Sequence, residues 1–274
     1  YMVVKYVWED VDVEIEDKQE EILLTTSKLA LQIKKTPFSL NIYNKEGDQI
    51  FGGSENYHSG KKVLTQTQLF PEEHFFGFGE RMDFLDRRGK DVTLDVGRGK
   101  GRPHIIGAYN VLEANYSPVP FFMSTKGYGI FLHNSYTTHW DMGHSSSDQY
   151  SFSAEGGELD YYFIYGPEFR SILDHYTDIT GKSPMMNRFA FGLHVGTYSG
   201  GTWGFEHLTS TQYVIALAKK FRELGIPLDV LHLDSTWRIF GENGGKGATS
   251  FEWRETFDNP KAMFDSLYNL NLNM

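Results

Sequence analysis

The hydrophobic periodicity of the chain changes once, near Gly166, and this change constrains the fold more than any other feature. Before it, apolar residues alternate with polar ones in short runs, for example at Leu29, Leu31 and Ile33, and turn residues separate the runs. After it, apolar residues recur at helical spacing. The pattern predicts an all-β sandwich or barrel of about ten or more strands, followed by a region that alternates strands and helices.

The second region has the signals of a strand–helix–strand unit. Residues 189–195 favour a strand, and the capping-box pair Thr209 and Gln212 opens a helix that Gly225 closes. A second strand follows directly, and Asn259 begins a second helix. Because such crossovers are right-handed and join parallel strands, we expect the two strands to lie side by side in a parallel sheet.

The linker around residues 181–187 predicts a domain boundary, so that domain one covers residues 1–186 and domain two covers residues 187–274. Two strands and two helices cannot close a barrel, which takes about 250 residues. We therefore expect the second domain to be completed by polypeptide outside the 274 residues of this chain.

Composition excludes several classes of function. The formal net charge of −10 argues against nucleic acid or an anionic membrane as a partner, because both need a positive surface. No apolar run reaches the roughly 18 residues that a membrane-spanning helix needs. The absence of cysteine excludes disulfides and thiolate chemistry.

The second strand has two chemically different faces. Val230, His232 and Asp234 point to one side, whereas Leu231 and Leu233 point to the other. Leucines on one face suit a covering layer of helices, and the histidine and aspartate suit a polar centre. Asp234 lies at the C-terminal end of the strand, where parallel α/β folds place their active sites.

Six motifs follow one another in an order that resembles the retaining α-glycosidases of glycoside hydrolase family 31. The resemblance runs from about residue 75 to residue 274. The motifs are Phe76–Arg81, Ser117–Asn134, Gly157–Tyr162, Tyr176–Gly181, Gly225–Asp229 and His232–Asp234.

The resemblance implies a galactose-mutarotase-like β-sandwich followed by the first two β/α units of a (β/α)8 TIM barrel. It implies an oligosaccharide or α-glucoside substrate, the remainder of its own barrel as a partner, no cofactor and no metal. The nucleophile and general acid of the family are two aspartates on later barrel strands, so no catalytic residue is expected in this chain. Retaining hydrolysis needs two carboxyl groups about 5–5.5 Å apart, so the chain alone is expected to be inactive.

The resemblance also assigns five substrate-binding candidates. Asp234 corresponds to the family aspartate that binds hydroxyls of the sugar in the −1 subsite, typically the 4-hydroxyl. Ser235 follows it in the pocket wall, and His194 occupies a family-like position on the first barrel strand. Trp237 is either a platform for a sugar ring or a packing residue. Arg98 belongs to a basic, Gly-rich loop where relatives often have an acid.

Three other functions stay open. Within the same family, the protein could be an α-galactosidase, an α-xylosidase or an isomaltosyl-type transglycosylase. The sandwich could belong to a non-catalytic carbohydrate-binding module. A different barrel enzyme could use His232 and Asp234 as a base pair or metal site, although the sequence offers no evident third metal ligand.

Overall fold

The structure is a computed structural model that describes residues 2–81, 83–95, 117–197, 204–234, 237–239 and 251–274. The chain divides into two compact units, Tyr1–Lys182 and Ser183–Met274. The expected domain boundary, between residues 186 and 187, differs from this division by four residues.

The first unit is built from two antiparallel sheets. Within its described residues, nine strands form one sheet in the order β1-β2-β3-β4-β5-β6-β12-β11-β8, and four strands form the other in the order β13-β10-β9-β7. This arrangement confirms the predicted many-stranded all-β domain. The strands are β1 Glu14–Asp17, β2 Glu21–Thr25, β3 Leu29–Lys35, β4 Phe38–Asn44, β5 Gln49–Ser59, β6 Lys62–Gln68, β7 Phe75–Glu80, β8 Asp91–Leu94, β9 Ser117–Ser124, β10 Tyr128–Leu132, β11 Thr138–Asp141, β12 Gln149–Ala154 and β13 Tyr161–Tyr165.

The four-stranded sheet is covered on both faces. Successive residues of a strand point to opposite sides of the sheet. On β9, Phe122 packs into the core shared with the nine-stranded sheet, whereas Phe121 packs with Ile172 and Ile179 of helix α1 (Phe169–Thr180). Fully burying a Phe or Ile side chain contributes about 1.5–3 kcal/mol, so both apolar layers stabilise this sheet.

The core between the two sheets also contains a buried carboxylate. Glu73 has no exposed surface, and its side chain accepts hydrogen bonds from the hydroxyls of Ser124 and Tyr128 and from the backbone N–H of Phe70. The hydroxyl of Tyr150 lies 2.8 Å from that of Tyr128. Burial raises the pKa of the Glu73 carboxyl, although the three hydrogen bonds act in the opposite direction.

The second unit contains a parallel pair of strands, β14 (Leu193–Thr197) and β15 (Leu228–Leu233). Helix α2 (Ser210–Glu223) joins them, and helix α3 (Pro260–Asn269) follows. This order confirms the predicted strand–helix–strand unit.

The predicted helix ends are also confirmed. The capping box between Thr209 and Gln212 is complete. Gly225 has a φ of 68° and closes α2 with a bond from its N–H to the carbonyl of Arg222. The side chain of Asn259 accepts a hydrogen bond from the N–H of Ala262 at the start of α3.

The start of the first barrel-type strand was predicted wrongly. Residues 189–191 belong to a 3₁₀ turn (Arg188–Phe191), and β14 begins only at Leu193. The alternating phenylalanines imitate a strand, but a longer β14 would need partners that precede Leu228 on β15. Pro227 has no N–H to donate there, so the parallel ladder cannot extend further.

Near the end of the chain, the backbone forms parallel pairing with β15. Asn273 forms a parallel bridge with Val230. The N–H of Leu231 bonds to the carbonyl of Asn273, and the N–H of Asn273 bonds to the carbonyl of Asp229. The backbone thus returns beside β15 after α3 and pairs with it as a third parallel strand would.

Candidate functional site

The register of β14 on β15 gives the parallel pair two distinct faces. His194 is paired with Val230, and Gly196 is paired with His232. Paired residues of parallel strands share a face, so these four side-chain positions lie on one side of the pair. Asp234, two residues after His232 in the chain, follows them at the C-terminal end of β15. We call this side the polar face.

The opposite face is apolar and packs on the helices. Leu231 is fully buried, and Val195 and Leu233 pack into the same cluster with Val214 of α2 and Met263 of α3. This confirms the predicted separation of the leucines from His232. The helices therefore pack on the apolar face, and on the polar face His194 and His232 are exposed whereas Val230 is buried.

Asp229 fixes the start of β14 and does not belong to the polar face. Its carboxylate accepts a hydrogen bond of 3.1 Å from the N–H of Leu193. Gly192 lies so close to this carboxylate that an added Cβ would stand 2.1 Å from Oδ2. A glycine is needed there because a side chain would displace the aspartate that fixes the start of β14.

The polar face brings two histidines together. Nδ1 of His194 lies 2.8 Å from Nε2 of His232, and the two rings stack with an interplanar angle of 28°. Both side chains are exposed. His194 was predicted as a substrate-binding residue, but its partnership with His232 was not. The two residues lie 38 positions apart, and only the register of the two strands makes them neighbours.

Asp234 directly follows β15 and is exposed. Its carbonyl accepts a hydrogen bond of 3.1 Å from the N–H of Trp237. Asp234 thus lies at the C-terminal edge of the parallel pair, one residue beyond β15. This is the position that the sequence predicts for it, and its role in binding stays a prediction.

Trp237 packs against a neighbouring indole. The ring centroids of Trp237 and Trp253 lie 5.0 Å apart with an interplanar angle of 62°, and the N–H of Arg254 bonds to the carbonyl of Trp237. Trp237 is half-buried. This contact agrees with the predicted role of Trp237 as a packing residue. Its other predicted role, as a platform for a sugar ring, stays a prediction.

The remaining two candidates, Ser235 and Arg98, lie outside the described residues. In the described part of the chain, no group of three histidine, aspartate or glutamate side chains could hold a metal ion. The same residues include no helix with the length and apolar character needed to cross a bilayer.

Comparison with known proteins matches both units to one family. The N-terminal galactose-mutarotase-like domain of glycosyl hydrolase 31 matches residues 1–141, and the TIM-barrel domain of glycosyl hydrolases family 31 matches residues 183–274. The second match identifies the parallel strand–helix unit as the beginning of a TIM barrel.

Individual relatives agree with this assignment. An α-glucosidase 2 from Bacillus thermoamyloliquefaciens is 34% identical over 249 residues, which is 85% of this chain and 29% of the relative. An isomaltosyltransferase from Sporosarcina globispora is 27% identical over 93% of this chain and 25% of its own length. A family 31 dextranase from Flavobacterium johnsoniae, solved with isomaltotriose, superposes with a TM-score of 0.80 at 29% identity, over 95% of this chain and 30% of its own.

The chain spans between a quarter and a third of the length of these relatives. The N-terminal match alone covers more than half of the 274 residues. A β-sandwich followed by the first β/α units of a TIM barrel is the architecture that both matches describe. The chain belongs to glycoside hydrolase family 31.

Proposed function

We propose that the chain is the sugar-recognition portion of a retaining α-glycosidase that hydrolyses α-glucosides. Asp234 carries the proposal, because it stands exposed at the C-terminal end of a barrel strand beside the histidines of the polar face. Active sites of TIM barrels lie at this end of the strands. An α-glucosidase, an isomaltosyltransferase and a dextranase bound to isomaltotriose are among the relatives.

The chemistry of Asp234 suits recognition. A carboxylate accepts hydrogen bonds from two sugar hydroxyls, and bonds to a charged acceptor are shorter and stronger than neutral ones. A sugar that lacks or inverts the bound hydroxyl leaves this acceptor unpaired, which selects against it. In this proposal Asp234 binds the sugar of the −1 subsite, and Ser235, Trp237, His194 and Arg98 complete the surroundings of the substrate.

The bond-breaking groups lie elsewhere in this proposal. A nucleophile and an acid/base, both aspartates, stand on barrel strands that follow Met274, and no cofactor takes part. The partners of the chain are the remainder of its barrel and an oligosaccharide or α-glucoside substrate. The sandwich covers residues 1–186, and the barrel starts at residue 187.

A panel of aryl α-glycosides tests the proposal. A longer polypeptide with the complete barrel is expected to release the aryl group from the α-glucoside, and proton NMR should show the α-anomer as the first sugar product. The 274-residue chain alone should release none. Failure of the longer polypeptide on every α-glycoside of the panel would reject the proposal.

The same panel separates the alternatives. Preference for the α-galactoside or the α-xyloside would assign those activities, and formation of longer oligosaccharides instead of free glucose would assign transglycosylation. A non-catalytic carbohydrate-binding module predicts that residues 1–180 bind malto- or isomalto-oligosaccharides in calorimetry without the barrel.

A further inference from the structure

The hydrogen bond between the two histidines restricts the protons of both rings. A neutral imidazole has one N–H donor and one bare nitrogen acceptor. If Nδ1 of His194 donates to Nε2 of His232, then Nε2 of His194 is bare and Nδ1 of His232 carries a proton. If the bond runs the other way, these two assignments are exchanged. In both cases the neutral pair has one donor and one acceptor left over.

The two leftover nitrogens are accessible. Both side chains are exposed, and no hydrogen bond of Nε2 of His194 or Nδ1 of His232 is found in the part of the chain that the structure describes. The position opposite His232 on β14 is Gly196, where an added Cβ would meet nothing within 4 Å. Among the described residues of this chain, none therefore covers the polar face at the position opposite His232.

A donor beside an acceptor matches the chemistry of a sugar. Each hydroxyl both donates and accepts a hydrogen bond, so two neighbouring hydroxyls can bond to both free nitrogens, with either tautomer arrangement. The pair lies on the same strand face as Asp234, and His232 precedes that aspartate by two residues. His232 is thus the residue of the pair nearer to Asp234 along the strand, and His194, level with Val230, lies further toward the N-terminal end.

We propose that His194 and His232 form a single binding unit for two neighbouring hydroxyls of the sugar that Asp234 recognises. This inference rests on the proposed function, adds His232 to its site and gives His194, already placed there, a specificity-determining role. His232 binds a hydroxyl directly, and His194 both fixes the ring of His232 and binds the second hydroxyl.

A metal site is the competing use of paired histidines. One nitrogen of each ring already takes part in the hydrogen bond between them. A typical protein site for zinc needs at least three ligands. The described residues contain no group of three candidate ligands. The geometry therefore favours hydroxyl binding over metal binding.

Substitutions that keep the shape of the ring test the pair. In the longer polypeptide with the complete barrel, His232→Phe should lower kcat/KM for an aryl α-glucoside about three- to tenfold for each lost hydrogen bond. His194→Phe should have a similar effect. His194→Asn places an amide near the former Nδ1, so it should restore part of the loss by holding His232. His58→Phe, which replaces an exposed histidine of β5, is the matched control and should leave kcat/KM unchanged.

Deoxy substrates distinguish binding from a structural role. Removing a hydroxyl that the pair binds should slow the wild type but have little further effect on His232→Phe. Removing the hydroxyl bound by Asp234 should slow both proteins equally. Additive losses for every deoxy sugar, or unchanged kcat/KM in both Phe variants of an active enzyme, would overturn the histidine proposal alone. A wild type that is inactive on all α-glycosides would overturn the proposed function and this inference together.

Discussion

The sandwich core and the polar face of the barrel unit both contain hydrogen-bonded polar side chains, but those of the sandwich core are buried and those of the polar face are exposed. In the sandwich, the carboxylate of Glu73 is fully buried and receives hydrogen bonds from Ser124, Tyr128 and the backbone. On the polar face, His194 and Asp234 are exposed. Buried groups that satisfy one another stabilise a fold, whereas the C-terminal end of a barrel strand is where TIM barrels place their active sites.

A perturbed pKa does not by itself mark the candidate site of this chain. Burial raises the pKa of Glu73 and raises that of Tyr128 well above its usual value, yet both lie deep between two sheets. Perturbed groups mark functional sites only when a substrate can reach them. The position of Asp234 at the C-terminal end of β15 is therefore the basis for the candidate site.

Replacing Glu73 with alanine should have the largest effect on stability. The substitution leaves the buried donors of Ser124, Tyr128 and Phe70 without their acceptor, and we expect the free energy of unfolding to fall by about 3 kcal/mol or more. Urea denaturation followed by tryptophan fluorescence measures this change. The exposed Glu20→Ala should change it by less than about 0.5 kcal/mol. Equal effects of the two variants would remove the contrast between buried and exposed polar groups.

The effect of Glu73→Ala should also depend on pH. Because the folded-state pKa of Glu73 is raised, its favourable contribution is fully present below the unfolded pKa and declines as pH rises through the folded pKa. The destabilisation should therefore be larger near pH 4.5 than near pH 8, by about 1.4 kcal/mol for each pH unit between the folded and unfolded pKa. Denaturation of both proteins at the two pH values measures the difference. A destabilisation that grows with pH would show that Glu73 favours its charged form.

A smaller change should affect the barrel unit. Asn259→Ala removes the side-chain acceptor for the N–H of Ala262 at the start of α3, which should cost about 1 kcal/mol. Hydrogen exchange should accelerate at α3 and leave β9 of the sandwich unchanged, because the two units have separate apolar clusters. Asn269→Ala, at the last residue of α3, is the control. Equal acceleration in β9 would indicate that the two clusters unfold as one.

Local signals in the sequence were sufficient for the helix ends and the two faces of β15. Asn259 and Gly225 bond to residues only a few positions away, so the neighbouring sequence is sufficient to predict these helix ends. The bond between His194 and His232 depends on a strand register across 38 residues, and the burial of Glu73 depends on sheet packing. Neither leaves a local pattern: Glu73 stands in the polar run Pro71–His74 and shows no sign of its environment.

In the proposed function Asp234 recognises the sugar, and one substitution tests that role. In the longer polypeptide with the complete barrel, Asp234→Ala should lower kcat/KM for an aryl α-glucoside. The expected loss of transition-state binding is about 2–4 kcal/mol, and the midpoint of unfolding should not change. Asp265→Ala, an exposed aspartate of α3, should leave kcat/KM unchanged. If Asp234→Ala retained the kcat/KM of the wild type, Asp234 would not belong to the site.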